Sequence, residues 1–161
     1  MAKAIPDGYH TATPYLIVSG ADQAIDFYKK VFGASESFRM ANPDGRIGHA
    51  EIRIGDSVIM LADEAPDAGY RSPRSIGGTA VSTMLYVEDA DACFGRAVAA
   101  GAQVRRPLTD QFYGDRSGTV EDPFGHVWTI ATHVEDVPAE GMERRMEAFT
   151  QQQANRQKAP S

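Results

Sequence analysis

The sequence predicts an α+β chain of two tandem strand–helix–three-strand (βαβββ) modules followed by a C-terminal helix. Two observations carry this. The same order of apolar patterns occurs twice at one common offset, with Leu16 matching Leu85 and Ile59 matching Trp128. Each occurrence also stops its helix at Gly-Ala and turns its last hairpin at a glycine.

The elements follow in order. TPYLIVSGADQAIDFYKKVFGA (13–34) and STMLYVEDADACFGRAVAAGA (82–102) each open with the short apolar alternation of a strand. Each passes through Ala-Asp (Ala21-Asp22, Ala90-Asp91) into apolar residues at helical spacing. These are Ala24, Ile25, Tyr28 and Phe32 in the first, and Cys93, Phe94, Ala97 and Val98 in the second. Gly33 and Gly101 then supply the left-handed backbone that ends a helix. Glu36 to Met40 and Gln103 to Pro107 read as the second strands. GRIGHAEIRIGDSVIMLADE (45–64) reads as strand, turn at Gly55-Asp56, and strand. GTVEDPFGHVWTIATH (118–133) does the same around Pro123-Phe124-Gly125. The predicted domain spans residues 10–134: a module at 10–64, a Gly/Pro/Ser-rich linker at 65–80 and a module at 81–134. The tail, 135–161, carries a narrow stripe of Met142, Met146 and Phe149, with Asp136 and Pro138 suited to a helix start. It fits a surface helix or one that docks on a partner subunit.

Composition narrows the function classes. With 161 residues, 42% hydrophobic and 24% charged, the chain can bury a core. A formal net charge of −6 argues against a nucleic-acid binder and against an anionic membrane surface as partner. Cys93 is the one cysteine, so no intrachain disulfide forms, and its place on a helix suits a small apolar residue better than a nucleophile. No stretch matches a signal peptide or a membrane span, which leads to a cytoplasmic expectation.

The duplicated unit, the AIDFYKKVFGA segment and EDPFGHVWTIATH together resemble the vicinal oxygen chelate superfamily of glyoxalases, extradiol dioxygenases and bleomycin- and fosfomycin-resistance proteins. YGDR, EDPFGH and the IATHVEDV piece are similar to its PhnB-like subgroup. The resemblance implies that the modules form a curled mixed sheet around an open cup. It implies four His, Gln or Glu metal ligands in the metal-using members, one from the first and one from the last strand of each module. The matching positions here are Thr13, Met60, Ser82 and Thr129. Hydroxyls and a thioether are poor donors for a divalent transition metal. The expectation is therefore no metal and no cofactor. His10 falls on the opposite face from Thr13, and His133 lies about 13 Å along the strand from Thr129, too far to share an ion with it.

What remains for the cup is organic in character. On the third strand His49, Glu51 and Arg53 alternate with apolar Ala50, Ile52 and Ile54, and the repeat sets Glu121 opposite Glu51. Tyr15 and Tyr86 share the inward face with Thr13 and Ser82, and His133 shares it with Thr129. Tyr113, Asp115 and Arg116 lie near the rim by the resemblance, with an Asp115–Arg116 ion pair as the structural alternative. Asp122, Pro123 and Gly125 serve a turn, His126 is expected at the surface, and Trp128 and Ile130 in the core. The candidate catalytic residues are His49, Glu51 and Glu121, against the alternative of a solvated charge set. The candidate ligand-binding residues are Thr13, Tyr15, Arg53, Met60, Ser82, Tyr86, Tyr113, Arg116, Thr129 and His133. The expected function is binding of a small organic molecule, with metal-free acid–base chemistry open. The alternative is a metal-dependent glyoxalase-like lyase, isomerase or dioxygenase. A homodimer is expected because open sheet edges need covering. Whether both halves of a cup come from one chain stays open.

Overall fold

A computed structural model of the chain describes residues 2–158. The first module is β1 (Tyr15–Val18), α1 (Ala21–Phe32), β2 (Ser35–Ala41), β3 (Ile47–Ile54) and β4 (Ser57–Asp63). The second is β5 (Ser82–Tyr86), α3 (Ala90–Ala99), β6 (Gln103–Asp110), β7 (Asp115–Glu121) and β8 (Val127–His133). A 3-10 turn (Pro66–Ala68) and the short helix α2 (Pro73–Ile76) lie between them, and α4 (Ala139–Lys158) follows. Each module makes its own four-stranded mixed sheet, ordered β1-β4-β3-β2 and β5-β8-β7-β6. β1 with β4, and β5 with β8, are the parallel pairs; the other pairs are antiparallel. A parallel pair needs a crossover, and the path through α1 or α3 supplies it.

The helices start where the last strand of each module tells them to. Val18 lies beside Asp63 in the β1–β4 register. The Asp63 carboxylate accepts the N–H groups of Gly20 (2.9 Å) and Ala21 (2.8 Å), satisfying orphan donors at the start of α1, and with its other oxygen the N–H of Ile47 at the start of β3 (2.8 Å). In the second module Thr132, near the end of β8, accepts the Ala90 N–H at 2.9 Å, while Asp89 caps α3 by accepting Ala92 N–H at 2.8 Å. Gly33 ends α1 at φ 67, the conformation predicted for it.

One face of each sheet is apolar and joins a single core. β3 buries Ile47, Ala50, Ile52 and Ile54; β8 buries Trp128 and Ile130; α1 buries Ile25, Tyr28 and Val31. Cys93 and Ala97 of α3 are buried, whereas Val98 is exposed. The helices meet between the modules: the rings of Phe32 and Tyr28 lie 4.8 and 5.3 Å from that of Trp128. Because both sheets turn their apolar faces toward this shared helical layer, their other faces point outward, away from each other.

Among the described residues four side-chain hydrogen bonds join the modules directly, all from the helix side or a strand edge. Tyr28 donates to Asp122 (2.7 Å), Cys93 and Arg96 donate to the Val31 carbonyl, and His126 Nε2 bonds the Ile17 carbonyl at 2.9 Å. His126 is thus half-buried at the free edge of β1, not at the surface as expected. Its strand phase puts it on the core side, where the neighbouring module supplies a partner. Asp122 does more than make a turn. Buried to 1% exposure, it accepts Phe124 N–H and His126 N–H (both 2.9 Å) with one oxygen. With the other it accepts Trp128 Nε1–H (2.8 Å) and the Tyr28 hydroxyl. The linker is also more ordered than its composition suggests. Ser72 N–H donates to Glu64, and Arg74 donates to the Pro123 carbonyl at 2.8 Å.

Asp122→Ala should cost about 3 kcal/mol or more of unfolding free energy, because it leaves the Tyr28 hydroxyl and the Trp128 N–H unpaired in the core. Tyr28→Phe should cost about 1–2 kcal/mol. Urea denaturation followed by Trp128 fluorescence measures both; values within about 0.5 kcal/mol of wild type for Asp122→Ala, the surface-substitution range, would refute the assignment.

Candidate functional site: two uncovered sheet faces

The uncovered face of the first sheet is organised by register. Tyr15 pairs with Met60, Met60 with Glu51 and Glu51 with Phe38, so one row crosses all four strands. Met40 stands opposite His49 in the next row. Within this surface a polar relay has formed. The Tyr9 hydroxyl donates to Glu51 Oε2. His49 Nε2 bonds Glu51 Oε1 at 3.2 Å, and Tyr15 Oη bonds His49 Nδ1 at 2.8 Å. In the neutral ring Glu51 takes the Nε2 proton, and Nδ1 accepts from the Tyr15 phenol. The Tyr9 hydrogen bond, then the one from His49, hold the Glu51 carboxyl below its usual range. Burial first raises the Tyr15 phenol above its ordinary value. Arg53 is occupied elsewhere: its guanidinium donates to the Gly8 and Asp56 carbonyls, fastening the N-terminal segment across the sheet. Beside the relay a cavity of about 500 Å3 is lined by Tyr15, Ile17, Met40, Ala62 and Tyr70, with Asp63 and Arg46 at its polar side.

The uncovered face of the second sheet differs in chemistry. Met84 pairs with Thr129 and Thr129 with Thr119, and the two threonine hydroxyls bond each other at 3.0 Å. Two rows along, past Ser117 opposite Ala131, Asp115 stands opposite His133. Asp115 is 4% exposed. Its carboxylate accepts the Tyr86 hydroxyl (2.9 Å) on one oxygen and His133 Nδ1–H (2.7 Å) on the other. His133 Nε2–H reaches Asp136 at 2.9 Å. The hydrogen bond to Asp115, then that to Asp136, raise the His133 imidazole above its ordinary value.

Arg116 does not face this surface. Neighbouring residues of a strand alternate between faces, so with Asp115 turned outward Arg116 turns to the helix side, where it bonds Asp91 of α3 (2.6 and 2.7 Å) and Asp110 (3.1 Å). It ties α3 to the β6–β7 hairpin and is not paired with Asp115. Tyr113 lies in the turn of that hairpin, edge-on to Phe112 at 5.3 Å. Glu121 is engaged by Arg105 and sits on a different sheet from Glu51, so the two carboxylates do not converge within one chain. Ser82 and Thr13 likewise sit on different modules. Thr13, Met60, Ser82 and Thr129 offer three hydroxyls and a thioether, a donor set that does not fit a divalent transition metal. The roles of Asp115 and Asp136 were missed from sequence. Counting the β7–β8 hairpin outward from its turn would have found the first, since Glu121 opposite Val127 forces Asp115 opposite His133.

His133 sets a pH dependence. Its folded value lies above the ordinary 6.5, so its contribution to stability is complete below that value and is lost as pH rises through the raised one. The groups facing the ring are Asp115, Asp136 and, through Asp115, Tyr86. Thermal unfolding of wild type and His133→Gln should differ most in mildly acid solution and converge above neutrality. A difference that grows with pH would contradict the assignment.

Comparison with known proteins agrees with this architecture. The Glyoxalase/Bleomycin resistance protein/Dioxygenase superfamily profile matches residues 9–130. The uncharacterized protein Rv0887c of Mycobacterium tuberculosis is 45% identical over 137 residues, covering 83% of this chain and 81% of its own. Protein YjdN of Escherichia coli is 28% identical, over 73% of this chain and 92% of its own. Among solved structures, TioX from Micromonospora sp. ML1 superposes with a TM-score of 0.59 at 29% identity, covering 78% of this chain and 99% of TioX. The fosfomycin resistance protein FosX of Listeria monocytogenes, complexed with Mn(II) and sulfate, shares the fold at 16% identity and a TM-score of 0.59, over 76% of this chain and 91% of its own. On its repeated βαβββ modules and this match across most of its length, the chain belongs to the glyoxalase/bleomycin resistance protein/dioxygenase superfamily.

Proposed function

We propose that the protein is a small-molecule-binding member of its superfamily whose cups close only when two copies pair. The observation that carries this reading is the outward exposure of large apolar side chains on both free sheet faces. Tyr15, Phe38 and Met40 of the first are 48, 49 and 53% exposed, and Met84 and Tyr86 of the second 44 and 63%. A first-module face of one copy set against a second-module face of the other would cover both and make two equivalent cups. Contiguous apolar surface of this kind marks a partner or ligand site.

Each cup would then be walled by aromatic and thioether groups on one side, and by hydroxyls and a Tyr–Asp–His cluster on the other. Convergent polar groups in a mostly apolar hollow suit a small organic ligand. The donor set at Thr13, Met60, Ser82 and Thr129 favours metal-free binding over metal-dependent chemistry. Metal-free acid–base chemistry is the second reading, favoured by the Tyr15–His49–Glu51 relay: a carboxylate orients an imidazole whose second nitrogen meets a phenol, the arrangement a proton-transfer unit needs. Likeness to the PhnB-like subgroup rests on the YGDR, EDPFGH and IATHVEDV segments alone.

Light scattering should give about 35 kDa, twice the 17.4 kDa chain mass. Met84→Asp should give a monomer with an unchanged circular dichroism spectrum. A wild-type mass of one chain would refute the two-copy cup. Crystals soaked with small aromatic alcohols should show density beside Tyr15 and Tyr70, and density confined to sites outside both sheet faces would refute the binding site.

A further inference from the structure

We infer that His133 is the recognition point for the carboxylate of a small organic anion, and that Asp136 occupies that position in the free chain as an internal substitute. The site uses side chains of the second module and of Asp136 just after it, all from one chain, so it does not depend on the two-copy reading.

The argument starts from the two ring nitrogens of His133. Each faces a carboxylate oxygen, Nδ1 at 2.7 Å and Nε2 at 2.9 Å. Carboxylates accept and do not donate, so this geometry satisfies both nitrogens when the ring is protonated and cationic, the form that both carboxylates favour. The two partners are unequal. Asp115 is 4% exposed, comes from within the sheet and is shared with the Tyr86 hydroxyl. It fixes the ring's orientation and holds its charge. Asp136 is fully exposed, with a side-chain exposure of 104%. Among the described residues its side chain makes no other hydrogen bond. The backbone just before it is anchored, since Val134 and Glu135 N–H groups both donate to the Gly114 carbonyl (2.9 and 3.0 Å).

The inner half of the cluster is therefore built, and the outer half is an imidazole N–H covered by a solvent-exposed carboxylate of the same chain. A ligand carboxylate can take the place of Asp136 with no change to Asp115, Tyr86 or the strands. Charge-assisted hydrogen bonds of this type are stronger than neutral ones. Apolar surface for the body of such a ligand lies on the same face, in the exposed side chains of Tyr86 and Met84. The ligand class is a compact carboxylate with an apolar or aromatic body.

Benzoate, with neutral benzamide as its near-isostere, tests this on the full chain at about pH 6, below the ordinary imidazole value. Benzoate should shift the His133 ring signals in nitrogen-15 NMR spectra, and benzamide should leave them in place. Asp136→Ala, a change on an exposed loop, should tighten benzoate binding about threefold by removing the competing charge. His133→Gln should weaken it at least about tenfold, with circular dichroism reporting that the fold persists. Benzoate that leaves the His133 signals unmoved, equal binding of benzamide, or an Asp136→Ala variant with wild-type benzoate affinity would each overturn the inference. A monomeric wild-type protein that still meets these expectations would leave this site standing while refuting the two-copy cup.

Discussion

The buried carboxylate of Asp122 is the constraint on which the arrangement of the two modules depends. Its four donors come from three places: the turn it sits in, the Trp128 ring on β8, and the Tyr28 hydroxyl on α1 of the other module. A carboxylate can be buried only when such donors surround it. Conversely, the Tyr28 hydroxyl and the Trp128 N–H need an acceptor inside the core. Satisfying all of them at once places α1 against the second sheet. That in turn sets the helices between the sheets and sends both free faces outward. The outward orientation of the two uncovered faces is thus a consequence of a polar contact on the helix side of the sheets.

The duplicated scaffold carries unlike chemistry on its two free faces. Both modules cap the first turn of their helix from the end of their last strand, through Asp63 in one and Thr132 in the other. Both bury alternate residues of their inner strands. These requirements act on the helix side. They leave the opposite side free to differ, and it does: a Tyr–His–Glu relay among aromatic groups in the first module, a buried aspartate holding an imidazole among hydroxyls in the second. Function in such a fold resides in the side chains grafted onto it. Membership of the superfamily therefore defines the frame and leaves the reaction to these two clusters.

The repeat and the strand alternation were legible because they are local. Alternating Ala50, Ile52 and Ile54 with His49, Glu51 and Arg53 is enough to say which residues share a face, since pleating leaves no other choice. The same reasoning separates Tyr15 from Leu16 and Thr129 from Trp128. Arg116 shows where a motif without strand phase fails: YGDR places it near the rim, and one residue of phase turns it to α3. His126 and Asp122 were read as surface and turn because their partners, Ile17 and Tyr28, lie more than ninety residues away in sequence.

By itself, then, the sequence determined the repeated order of strands and helices in the two modules and the alternation of faces along β3 and β8. Each follows from neighbours a few residues apart. Tertiary structure alone decided that the two uncovered sheet faces look away from each other, that Arg53 and Arg116 are held by other partners, and that His133 is held between Asp115 and Asp136. Those outcomes depend on which surfaces pack together, and packing is settled by the joint satisfaction of distant apolar and polar groups in one core.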